Sequence, residues 1–117
     1  VFREVLENIQ RKVEGLVGIS LIGLDGIAID SLKSGDVPLD SMGAEFGGFL
    51  KSIRVSNTEL HTGDVEQFSL TTDKFVTFLS AITTEYFILM VLSRGGNYGR
   101  ARFELQKAKF ALKDELT

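Results

Sequence analysis

His61 is the only histidine in the chain, and cysteine is absent. Together these remove most routes to catalysis. Thiolate nucleophiles, disulfide frameworks and cysteine-bound metals are excluded. A histidine that binds a metal or acts as a general base needs partners. His61 stands between Leu60 and Thr62, with only Glu59 and Asp64 close by in sequence, and reads as a solvated loop residue. Ser20, Ser31, Ser69 and Ser80 fall in predicted strands with no histidine–carboxylate pair to activate them, so they read as sheet residues. The carboxylate pairs Glu4/Glu7 and Asp114/Glu115 lie on polar helix faces, where nothing sets one apart as acid and the other as base.

The segment Arg94-Gly95-Gly96-Asn97-Tyr98-Gly99 is the one place with the context of a phosphate cradle: it follows a strand and opens a helix. It lacks the Gly-Lys-Ser/Thr ending of a P-loop and the Gly-x-Gly-x-x-Gly spacing of a dinucleotide site. A turn followed by an N-cap is the plainer reading, with a small anion held by Arg94 and Arg100 as the alternative.

These residues are positioned by a regular series of elements. Phe2, Val5, Leu6, Ile9 and Val13 form one helical stripe over residues 2–14, and Gly15 is placed to stop it. Two strands, 16–23 and 27–33, flank Leu24-Asp25-Gly26, whose Asp-Gly pair suits the positive φ of a tight hairpin turn. A second helix runs from 39 to about 55, with Pro38 in its first turn and Leu39, Met42, Phe46, Phe49, Leu50 and Ile53 as its apolar stripe. Residues 56–64 read as a loop. Three strands follow, at 65–72, 75–83 and 85–93, joined so tightly that an antiparallel meander is required. Asn97 then caps a last helix, with Tyr98, Ala101, Leu105, Ala108 and Leu112 along one line and Phe103 and Phe110 along a second. So wide a stripe predicts two buried surfaces.

Composition orders the sheet in part. Tyr86 to Leu92 is apolar on both faces, which predicts a central strand. Val65 to Thr72 is the most polar strand and carries neither proline nor a central lysine, so it predicts an unprotected edge that can pair with a second copy. Gly43, Gly47 and Gly48 lower the stability of the second helix, each by about 1 kcal/mol relative to alanine. Gly43 and Gly47 share a face, and fit either close packing under a strand of the same chain or helix packing across a dimer axis.

The chain has 117 residues, 44% hydrophobic and 25% charged, which suits one domain spanning 1–117 with a modest core. Its net charge of −3, with no basic block, argues against nucleic acid as a partner. Lys107, Lys109 and Lys113 alternate with Glu104, Asp114 and Glu115, which reads as a solvated helix face. No apolar run approaches the roughly 20 residues that cross a bilayer, and no signal-peptide pattern opens the chain. The expectation is a cytoplasmic protein without membrane insertion, cofactor or metal.

Asn97-Tyr98-Gly99-x-Ala101-Arg102 at the start of the last helix, and Val17-x-Ile19-x-Leu21 before Asp25-Gly26 with Ile27 resuming the next strand, resemble the roadblock/dynein light chain family. The likeness is strongest to its bacterial branch, the MglB-type regulators of small Ras-like GTPases, and it covers essentially the whole chain. It implies an α/β (α+β) fold of order αββαβββα. The five-stranded antiparallel sheet would be ordered 2-1-5-4-3, with the second helix on one face and the terminal helices on the other. It further implies a homodimer built through the third strand and the second helix, which makes Gly43, Gly47, Phe68 and Leu70 candidates for the dimer interface. The implied function is a regulator or scaffold of a small Ras-like GTPase that binds, and stimulates hydrolysis if at all, without catalytic residues of its own. Glu45, Lys51 and Arg54 are the candidates for contact with that partner. A structural adaptor in a motor or membrane-associated assembly, and a small-molecule sensor, are the alternatives. A deep pocket with convergent polar groups would favour the sensor, and a flat paired-helix platform the regulator.

Overall fold

A strand buried on both faces needs a layer of structure on each side, and β5 (Tyr86–Ser93) has both. Phe87 through Leu92 are each 0% exposed. In this computed structural model, which describes residues 2–116, the element order is α1 (Phe2–Lys12), β1 (Leu16–Gly23), β2 (Ala28–Lys33), α2 (Leu39–Leu60), β3 (Gln67–Thr71), β4 (Phe75–Ala81), β5 and α3 (Tyr98–Leu116). The sheet runs β2-β1-β5-β4-β3, antiparallel throughout, as the motif resemblance implied.

The side-chain alternation of β5 divides the core in two. Ile88, Met90 and Leu92 join Leu6, Ile9, Phe78, Leu105 and Leu112 under α1 and α3. Phe87, Leu89 and Val91 join Ile22, Leu79, Phe46 and Leu50 under α2. The terminal helices therefore cover one face and the second helix covers the other.

The turns form as their residues dictate. Gly26 takes φ +89° in the β1–β2 turn, where the Asp25 carboxylate accepts the Ile27 N–H at 3.0 Å. Gly15 takes φ +88° after α1, and a Cβ there would stand 2.7 Å from Cα of Gly96, so two backbones touch where the N-terminal turn meets the β5–α3 turn. The Asn97 side chain accepts the Arg100 N–H at 3.0 Å, the N-cap read from sequence.

Three expectations fail. α2 continues to Leu60, through residues expected to be a loop. Asn57 stays half-buried, and packing carries the helix past a stretch of weak helix formers, although the Thr58 hydroxyl donates back to the Arg54 carbonyl. His61 ends it in the left-handed conformation (φ 56°, ψ 40°). Pro38 sits just before the helix as its cap residue rather than inside the first turn. Finally, the second apolar line of α3 is not buried: Phe103 is 55% and Phe110 72% exposed. Their side of the helix faces neither the sheet nor α1.

Candidate protein-interaction surface

β3 is an outer strand, with β4 on one side and an open backbone edge on the other. α2 packs on β1 and β2, so the β3 end of the same sheet face is less covered. Phe68 and Leu70 point toward that face. Phe68 is half-buried and its ring stacks on Phe46 of α2, with centroids 6.2 Å apart and planes within 6°. Phe46 meets Phe49 edge-on at 5.2 Å. The row ends in solvent, with Phe49 44% and Leu70 46% exposed. An open strand edge thus lies beside an apolar patch shared by α2 and β3.

The glycines of α2 divide by face. Gly43 and Gly47 are buried against their own sheet. A Cβ on Gly43 would stand 2.7 Å from Cδ1 of Ile22, and one on Gly47 would meet the Phe87 ring at 3.7 Å. Within the chain their role is close packing under a strand. Gly48 is the outward glycine, exposed, with nothing within 4 Å of its added Cβ. Of the two readings open for Gly43 and Gly47, packing under their own strand is the one seen, and Gly48 is the glycine with open space around it.

Glu45 and Lys51 are exposed on α2. Arg54 is not a free arm on the outer face. Its guanidinium donates to the Thr84 carbonyl at 2.8 Å and the Thr83 carbonyl at 3.3 Å, which ties α2 to the β4–β5 turn. Sequence separation hid this contact, since nothing local links residues 54 and 84.

The remaining chemical candidates are taken up by structure. His61 is an exposed helix-ending residue. The Ser20 hydroxyl is 2.7 Å from that of Ser31 across the β1–β2 ladder. In the turn before α3, the N–H groups of Gly95, Gly96 and Asn97 donate to the Tyr98 hydroxyl, the Ser93 carbonyl and the Glu14 carbonyl. Arg94 is drawn to the Thr72 carbonyl at 2.9 Å and Arg100 to Glu104 at 3.1 Å. The segment is a turn and a cap, and its first amides are not available to an anion. The clefts lined by residues 4–9 of α1 with 104–111 of α3, and by the β1–β2 turn with Glu85 and Tyr86, are open surface grooves of about 230 and 350 Å³. Among the described residues no cluster of three metal-ligating side chains occurs, and no helix is long and apolar enough to cross a membrane.

Glu104 was misread from sequence as part of a solvated face. It is 1% exposed, between Arg100 one turn before and Lys107 one turn after. The spacing of those two cations was the available signal.

No protein-family model and no curated protein matches the chain. Solved structures do. A Roadblock/LC7 domain from Streptomyces avermitilis superposes with a TM-score of 0.86 at 17% identity, over 97% of this chain and 95% of that one. MglC from Myxococcus xanthus is 29% identical, with a TM-score of 0.69 over 97% and 98% of the two chains. The gliding protein MglB from Thermus thermophilus gives 0.86 at 16% identity, over 96% and 85%. The fold is that of the Roadblock/LC7 domain, as the Asn97 and Asp25-Gly26 motifs implied.

Proposed function

We propose that this chain forms a homodimer through β3 and α2, and that the paired α2 helices make a platform that binds and regulates a small Ras-like GTPase. The observation that carries the reading is the open β3 edge beside exposed Phe49 and Leu70. Pairing β3 with its copy would satisfy the free backbone groups of that edge and continue the sheet across a two-fold axis. The two α2 helices would then lie side by side, with Gly48 allowing close approach. The Roadblock/LC7 fold supports this reading. So does the self-association of one similar structure, an MglB with a tetrameric arrangement.

The platform works by binding. Glu45 and Lys51 offer charge of both signs, which serves orientation and encounter rate more than raw affinity. Arg54, held at the β4–β5 turn, keeps α2 in place and does not extend as a finger toward a partner's nucleotide. If hydrolysis is stimulated, the GTPase's own groups are repositioned. An adaptor that bridges partners without altering hydrolysis would use the same platform.

The test has two arms. A native extract is passed over the immobilised chain with and without a non-hydrolysable GTP analogue, and a captured GTPase is purified. Single-turnover GTP hydrolysis is then measured with saturating chain. Nucleotide-dependent capture lost on Lys51→Glu supports the regulator. Capture with an unchanged rate supports the adaptor. GTP turnover by the purified chain alone, abolished by a substitution in it, would overturn both.

A further inference from the structure

The face of α3 turned away from the sheet carries a second docking surface, and we infer that it takes an acidic amphipathic helix of another protein. Phe103 and Phe110 are exposed, seven residues apart on one line of the helix. At 1.5 Å per residue they stand about 10 Å apart along the axis, a spacing that a second helix laid alongside matches with side chains two turns apart. The Phe103 ring has the Arg100 guanidinium 5.7 Å and the Lys107 ammonium 5.5 Å from its centroid. An exposed aromatic line with two cations beside one of its rings suits a partner with apolar side chains next to carboxylates.

The cations are held in place from below. Buried Glu104 reaches Arg100 Nε at 3.1 Å and Lys107 Nζ at 3.7 Å. Its Oε2 makes no hydrogen bond, so the Arg100 contact is an ion pair without directed geometry. Both cations remain about half exposed, with donors turned to solvent. A carboxylate buried in a helix flank gains little for stability by itself. Here it fixes two positive side chains beside one ring.

Charge complementarity selects the occupant. The chain is acidic overall, at −3, yet α3 carries five cations against three carboxylates; Arg100 and Lys107 stand beside Phe103, and Asp114 lies one turn past Phe110. A second copy of the same helix would bring two net-positive helices together, with only Asp114 to offset Arg100. A flat anionic bilayer would also have to meet neighbouring α1, where Glu4 and Glu7 are exposed. A single acidic helix meets the Phe103–Phe110 line alone. The face lies on the opposite side of the sheet from α2, so it would be free in the proposed dimer.

The test pans a phage-displayed library of random helical peptides against the intact chain, with the Phe103→Ser/Phe110→Ser variant as counter-selection. Both rings are exposed, so the variant should melt with the parent. The expected winners combine Asp or Glu with Leu, Ile or Phe, shift the backbone amides of α3 in NMR, and lose on the order of five-fold in affinity with Arg100→Gln and with Lys107→Gln singly, each of which leaves Glu104 one cation. Their binding should also weaken with salt. Winners without acidic enrichment, winners insensitive to these substitutions, or no winners at all would overturn the inference. So would phosphatidylserine vesicles that bind this face in preference to every peptide, or a change in self-association on Phe110→Ser.

Discussion

Phe46 of α2 and Phe68 of β3 lie parallel and offset, ring centroids 6.2 Å apart and planes within 6°. The contact joins the helix expected to form the platform to the strand expected to pair with a second copy. In the proposed dimer the contact would couple the position of α2 to that of β3, with aromatic stacking adding about 0.5–1.5 kcal/mol beyond burial.

Leu70→Lys should weaken self-association without unfolding the chain. Leu70 is 46% exposed beside the open edge, and lysine is the residue that blunts such edges. Sedimentation equilibrium should show dimer affinity reduced by about ten-fold or more, the size of a modest interface contact at about 1.4 kcal/mol. A parent chain that sediments as a clean monomer at micromolar concentration removes the proposed dimer altogether.

Gly47 and Gly48 of α2 should respond in different ways. Gly48→Ala has open space and should raise stability by up to about 1 kcal/mol through helix propensity. Gly47→Ala meets the Phe87 ring at an ordinary 3.7 Å and should be tolerated. Gly47→Leu must displace that buried ring and should cost about 1–3 kcal/mol. Chemical denaturation of the three variants checks the order. If Gly47→Leu keeps its stability and loses only dimer affinity, then the glycine faces a partner helix instead.

Arg54→Ala should loosen the β4–β5 turn. The two carbonyls it serves lie near the surface and can turn to water, so the cost is about 1 kcal/mol, below the range for buried charged hydrogen bonds. Hydrogen exchange should quicken at Glu85 and Tyr86. With a GTPase bound, binding should weaken while single-turnover hydrolysis in the saturated complex holds. A fall of about 10³-fold with binding intact would instead mark an inserted arginine.

Glu104 and its cations should show a sign asymmetry. Removing both cations, in Arg100→Ala/Lys107→Ala, leaves a buried carboxylate unpaired and should cost about 3 kcal/mol or more. Glu104→Leu leaves two cations that are already half exposed, and should change stability by less than about 1 kcal/mol. The triple variant should recover most of what the double variant loses. Equal losses in the first two would mean that the pairing itself holds α3 in place.

The sequence determined the elements because their causes are local. Asp25-Gly26 makes its turn with the Asp25 carboxylate on the Ile27 N–H, Asn97 caps α3, and the apolar alternation of β5 requires cover on both faces. The sheet order was legible only in part: residue chemistry placed β5 centrally and exposed β3, and motif resemblance supplied the rest. Tertiary structure decided what depends on which face of an element meets a neighbour. Spacing puts Gly43 and Gly47 on one face without saying what that face meets, and the packing of α2 on Ile22 and Phe87 turns it inward and leaves Gly48 outward. The Phe103–Phe110 line looks like core to a pattern of apolar residues, yet the one sheet face available to α3 is already filled by Ala101, Leu105, Ala108 and Leu112. Arg54 and Glu104 look like surface charges, and three-dimensional closure alone brings one to the carbonyls of Thr83 and Thr84 and buries the other beneath Arg100 and Lys107. A side chain's type is written in the chain, but the groups that will neutralise or cover it are fixed only when distant segments meet.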